Sequence, residues 1–134
     1  MRPVGWPRML SEYVLGVQEQ YKARGFAWGT FDCCTMGAEW VRLMTGRDPL
    51  EAYRGKYATR EEAMALAGGD LKAALTKELG EPCPIAQAQR GDLALMGDAL
   101  GILFTSGRLF ALFLGEGGMT LYPANKCDCA FRVE

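Results

Sequence analysis

Trp28-Gly29-Thr30-Phe31-Asp32-Cys33 decides how this chain folds. The stretch closes an aromatic connector, Phe26–Phe31, and opens a helix. Asp32 is an N-cap residue type, since a carboxylate oxygen accepts the first-turn N–H groups that have no helical partner. Beyond it Cys33, Met36, Trp40, Val41 and Met44 recur at three- to four-residue spacing. That stripe predicts an amphipathic helix from Cys33 to about Thr45, stopped by Gly46. Cys33 then sits in the first helical turn, where unpaired N–H groups and the macrodipole favour a thiolate over a thiol. Gly29, lacking a Cβ, leaves room for a ligand to approach the backbone.

Working outward toward the N-terminus, Met9, Tyr13, Val17 and Tyr21 recur every four residues and predict a helix from about Arg8 to Arg24, ended by Gly25. Toward the C-terminus, Arg47–Tyr57 reads as a loop with one turn of helix. Thr59 with Glu62 makes a capping box for a short helix to Leu66 or Ala67, broken by Gly68 and Gly69. Asp70 caps a helix over Leu71–Leu79, closed by Gly80. Pro82-Cys83-Pro84 is not expected to be regular structure.

From Arg90 the period changes. Leu93–Met96, Leu100–Phe104, Leu109–Leu114 and Met119–Tyr122 read as short strands between glycine-rich turns, one of them Thr105–Arg108, with a last edge strand at Ala130–Val133. Helices first and strands second define an α+β fold, N-terminal helices packed on a small antiparallel sheet. The 134 residues make one domain, 1–134, long enough to bury a core without staples.

Composition narrows the function classes. Fifteen basic and sixteen acidic residues are interspersed, so no basic stripe points to nucleic acid. No apolar run is long enough to cross a bilayer, and Met1–Pro7 has no hydrophobic signal core, which predicts no membrane insertion and folding in a cytoplasm. Five cysteines, an odd number without a signal peptide, argue for reduced thiols and against a disulfide framework.

Three motifs carry a resemblance: Trp28-Gly29-x-x-Asp32-Cys33, then Arg90-Gly91-Asp92-Leu93, then Ala99-Leu100-Gly101-Ile102. Together they resemble the NlpC-type branch of papain-like cysteine peptidases, in which an Asp-Cys opens the first core helix, a Gly-Asp-Leu begins a strand, and a His-Val-Gly-Ile strand supplies the base. A family of uncharacterised phage tail-module proteins resembles the chain further, in Arg54-Gly55-Lys56-Tyr57, Ala88–Asp92, Ala99–Gly101 and Phe131-Arg132-Val133. Order and spacing, across nearly the whole chain, make the likeness. It implies a papain-like NlpC-type fold and a place in a phage tail.

The chain departs from the peptidases at their chemistry. The resemblance puts the vestigial nucleophile at Cys33, with Asp32 as helix cap, and the lost base at Ala99; the chain contains no histidine at all. Imidazole activation of a nucleophile is worth roughly 10²–10⁴-fold, and the neighbouring Asp98 offers only a carboxylate, a weak base toward a thiol. No catalytic residue is expected. The resemblance then implies a non-enzymatic component of a phage tail tip or baseplate, located in the virion tail and, during assembly, in the host cytoplasm. Its partners would be other tail-tip and hub proteins in a symmetric assembly. The enzymatic alternative is a cell-wall cysteine peptidase that uses Cys33 with a base supplied by a partner.

Bland readings stand beside these. Cys33 is most simply a small buried hydrophobe, and Trp28 and Trp40 are most simply core. No cofactor is expected. Four thiols, Cys33, Cys83, Cys127 and Cys129, would suit zinc or an iron–sulfur cluster if they converged, although their spacing is not Cys-x-x-Cys. The loop Arg47–Thr59, with Arg54, Lys56 and Tyr57, is the candidate contact surface.

Overall fold

A computed structural model describes residues 1–105 and 109–134. Part of the expected Thr105–Arg108 turn, residues 106–108, lies outside the described residues. Four helices precede five strands: α1 Trp6–Arg24, α2 Cys33–Thr45, α3 Arg60–Leu66, α4 Leu71–Leu79, then β1 Leu93–Met96, β2 Ala99–Leu103, β3 Phe110–Gly115, β4 Gly118–Pro123 and β5 Cys129–Phe131. The strands form one antiparallel sheet in the order β4-β3-β2-β1-β5. The chain is therefore α+β.

α1 starts two residues earlier than expected, at Trp6, because Pro7 falls in the first turn where its missing N–H costs nothing. Its buried stripe is Leu10, Val14 and Val17. The expected face is rotated from this: Tyr13 and Tyr21 sit at its margin, where their hydroxyls donate to the carbonyl oxygens of Met36 (2.7 Å) and Gly115 (2.8 Å). A tyrosine stationed there buries its ring while its hydroxyl keeps a partner.

α2 is the central helix, with eight of its thirteen residues buried. Trp40 is fully buried, and its indole N–H donates to the carbonyl of Gly91 at 2.8 Å, tying α2 to the start of β1. Strand alternation splits the interior in two. Leu93, Leu95, Leu100, Ile102, Leu112 and Leu114 face α1 and α2, while Ala94, Leu103, Ala111 and Phe113 face a smaller second core.

Two features differ from expectation. Cys83 joins the sheet through an antiparallel bridge to Ala130, donating to its carbonyl at 2.7 Å and accepting from its N–H at 3.0 Å. Both flanking prolines are compatible with this, because only residue 83 needs an N–H. Short 3₁₀ turns at Ile85–Gln87 and Ala124–Lys126 carry no apolar period and left no trace in the sequence pattern.

The N-terminus is clamped to the sheet. Arg2 forms an ion pair with buried Asp92 at 2.7 Å, donates to the carbonyls of Arg90 and Val133, and lies over the Trp6 ring at 4.2 Å. Asp92 also accepts from the N–H groups of Gln89 and Val133. These three donors, one of them charged, make a buried carboxylate tolerable.

Candidate functional site

The connector before α2 is a tight loop closed by paired bonds between Ala27 and Phe31. Gly29 lies in it at φ +87°, and a Cβ there would fall 2.2 Å from the carbonyl oxygen of Tyr57. Conformation and space both require glycine. The room that Gly29 leaves is thus taken by the protein's own backbone, in place of the expected ligand.

Asp32 caps α2. Its Oδ1 accepts from Thr35 N–H at 2.8 Å, while Thr35 Oγ1 accepts from Asp32 N–H at 2.8 Å. Oδ2 accepts from Gly29 N–H at 2.8 Å and from the Tyr57 hydroxyl at 2.7 Å. The carboxylate is 1% exposed and Tyr57 is 8% exposed. Burial and the bond to Asp32 push the Tyr57 hydroxyl far above the ordinary tyrosine range, because ionising it would place two anions in contact.

Cys33 follows in the first turn, 7% exposed. The Cys34 thiol donates to its sulfur, as do the backbone N–H groups of Leu100 and Cys34, and these hold Cys33 below the ordinary thiol range against burial and the nearby Asp32 charge. Cys34 is driven the opposite way, well above it, because its S–H serves as that donor and because it is buried. Of the two, Cys33 is therefore the more readily ionised.

Both thiols open onto a cavity of ≈ 100 Å³ between α2, the β1–β2 turn and the pair α3–α4. Asp98 and Arg60 stand on its wall 3.8 Å apart, and Trp28 forms part of its edge with its indole N–H on Glu116 Oε1 at 2.8 Å. Trp28 is therefore a half-buried cavity residue, whereas Trp40 is core.

The remaining expected site residues are distributed as follows. Ala99 packs on the second core, on the opposite face of β2 from Leu100 and Cys33, so from this turn only Asp98 and Leu100 line the cavity. The four thiols considered as ligands do not converge on one point: Cys33 and Cys129 belong to the helix-side core and Cys127 to the second core, while Cys83 bridges to Ala130, next to Cys129. Among the described residues no group of three or more His, Cys, Asp or Glu is placed to hold a metal ion. All five cysteines are free thiols.

In the loop 47–59, Lys56 is exposed and Arg54 is engaged with Asp48 at 2.6 Å. Tyr57 is not surface: it is turned inward onto Asp32. Sequence reasoning missed this tyrosine and Cys34 as members of the site. The available signal was Gly29, whose demand for close backbone approach left its neighbour unspecified.

Fold and site define an α+β domain in which a capped helix presents two adjacent thiols to an apolar cavity beside an antiparallel sheet. The chain belongs to the family described as a domain of unknown function, DUF6950, whose profile spans residues 1–133. No curated protein and no solved structure matches it.

Proposed function

We propose that this protein is a non-catalytic structural component of a phage tail tip or baseplate, built on a papain-like NlpC-type domain whose chemistry has lapsed. The observation that carries the reading is the environment of Cys33. Its sulfur stands in a helical first turn beside β2, as a nucleophile would, yet the chain has no histidine, and the wall facing the sulfur offers Asp98 and Leu100. A thiol so placed has no imidazole to take its proton or return it to a leaving group. The partners would be other tail-tip and hub proteins in a symmetric array, with the protein in the virion tail after assembly in the host cytoplasm.

Quantitative mass spectrometry of purified particles tests this. A small fixed copy number relative to the tail subunits supports it, and absence from the particle sinks it. Cleavage of peptidoglycan stem peptides by the isolated protein, abolished by Cys33→Ser, would also overturn it.

The depressed Cys33 thiol favours a second reading, a peptidase completed by a partner's base. That reading requires a partner histidine within hydrogen-bond reach of Cys33, and a structure of the complex without one rejects it.

A further inference from the structure

α3 and α4 turn apolar side chains toward the cavity, Leu71 belonging to the helix-side core and Leu75 and Leu79 packing against it at the cavity's margin. On α4, Leu71, Ala74, Leu75 and Leu79 share one face at three- and four-residue spacing; on α3, Ala63 and Met64 do so together with Ala67, the residue that caps its C-terminus. All seven line the cavity, and only Leu71 is buried. Opposite them lie Ala38, Leu93 and Leu100 from α2 and the sheet. Side chains that border a gap forgo the dispersion contacts that interdigitation would supply, so the two helices have contact energy still to gain.

The wall's chemistry selects the occupant. Its polar groups already have partners: Asp32 holds Tyr57, Tyr53 donates to Glu78 at 3.4 Å, and Arg60 faces Asp98 at 3.8 Å. Among the described residues no buried side-chain nitrogen or oxygen lacks a hydrogen bond. A polar ligand or an ordered water would therefore find few partners, and a cavity of this kind favours apolar guests. The wall also carries three carboxylates, Asp32, Glu78 and Asp98, against the one guanidinium of Arg60, which disfavours an anionic headgroup.

We infer that the cavity between α2 and the α3–α4 pair binds the aliphatic chain of a small neutral amphiphile, its tail directed toward Cys33. The void matches a chain of roughly four to six carbons, given that cavities of similar size admit benzene. The inference goes beyond the structural role proposed above, and neither outcome of its test bears on that role.

The test is a titration of the full-length protein, labelled with ¹³C-methyl methionine, with 1-butanol, 1-hexanol and 1-decanol, read by NMR. Met64 lines the cavity. Its methyl resonance should shift saturably while that of exposed Met1 stays in place. Affinity should rise about fourfold per added methylene up to 1-hexanol and gain little more with 1-decanol. Ala74→Phe, which fills the void, should abolish the shift in a protein that keeps its other methyl resonances. No saturable shift at Met64, equal shifts in the filled variant, or affinity that climbs undiminished through 1-decanol overturns the inference. If Ala74→Phe does not fold, the chain-length series on the unsubstituted protein decides alone.

Discussion

Tyr57 donates its hydroxyl hydrogen to Asp32 Oδ2 across 2.7 Å, joining residues 25 apart and fastening the loop 47–59 to the N-terminus of α2. The carboxylate it meets is already held by Thr35 and Gly29 N–H groups. Tyr57→Phe therefore removes one of three donors to a buried charge and should cost about 2 kcal/mol. Asp32→Ala removes the cap and orphans all three, at about 3 kcal/mol or more. Urea unfolding checks both: the midpoint should fall in that order with an unchanged slope.

Alkali should unfold the protein through its tyrosines. Burial raises Tyr13, with Glu39 adding to it, and burial with Asp32 raises Tyr57. In each the fold favours the neutral phenol, so their contribution is complete below the unfolded tyrosine pKa of about 10 and is lost as pH rises above it. The loss is up to about 1.4 kcal/mol per pH unit for each group. Chemical denaturation from pH 9 to 11 should show the decline, and Tyr13→Phe with Tyr57→Phe should flatten it. An unchanged slope in the double variant would refute the assignment.

The two thiols should differ in reactivity. Cys33 is lowered chiefly by the hydrogen bond from Cys34, and Cys34 is raised by giving it. Iodoacetamide should label Cys33 in preference to Cys34, with a pH midpoint below that of an ordinary thiol. Cys34→Ala deletes the donor and should move that midpoint upward. Peptide mapping of the alkylated protein reads both results; preferential labelling of Cys34 would contradict its assignment as the donor.

Gly29→Ala should be among the most damaging single-methyl changes, because the new Cβ would meet the Tyr57 carbonyl at 2.2 Å in a left-handed conformation. A loss of at least about 3 kcal/mol is expected. Gly46→Ala shares the left-handed conformation, at φ +80°, but opens onto empty space and should cost only about 1–2 kcal/mol. Thermal melts of the pair separate steric contact from backbone strain.

Arg2→Ala should cost about 3 kcal/mol or more, since it strands Asp92 in the interior after removing its one ion-pair partner. Arg8→Ala, which breaks the exposed pair with Glu12, should leave the melting temperature unchanged within error. Equal effects would show that the N-terminal clamp carries no stability.

Much of the architecture was legible because local chemistry repeats along it. α2 begins at Cys33 and ends at Thr45 because Asp32 and Gly46 are strong terminal residues. α4 follows from Asp70 and Gly80, and the strands from short apolar runs set between glycine-rich turns. The site was less legible because its parts meet across distance. Nothing near Tyr57 marks it as a partner of Asp32, since an isolated loop aromatic has no period to read. Ala99 was placed by motif alignment, whereas its actual side was set by the pleat that gives Leu100 to α2. The Cys83 bridge was hidden by its two prolines, which mark a break in any regular pattern.

Those prolines have a consequence for how copies of the molecule can aggregate. On β5, Ala130 is the residue turned away from β1, and Cys83 takes both its N–H and its carbonyl. The next residues facing outward, Pro82 and Pro84, have no N–H to offer a newcomer. On this side hydrogen-bonded growth stops after one residue. The opposite edge, β4, has a neighbour only at β3 among the described residues. Sheet extension is therefore one-sided: a second strand can join at β4, but copies cannot add at both edges in succession, and the unending stacking by which two-edged sheets become fibres is closed to this protein.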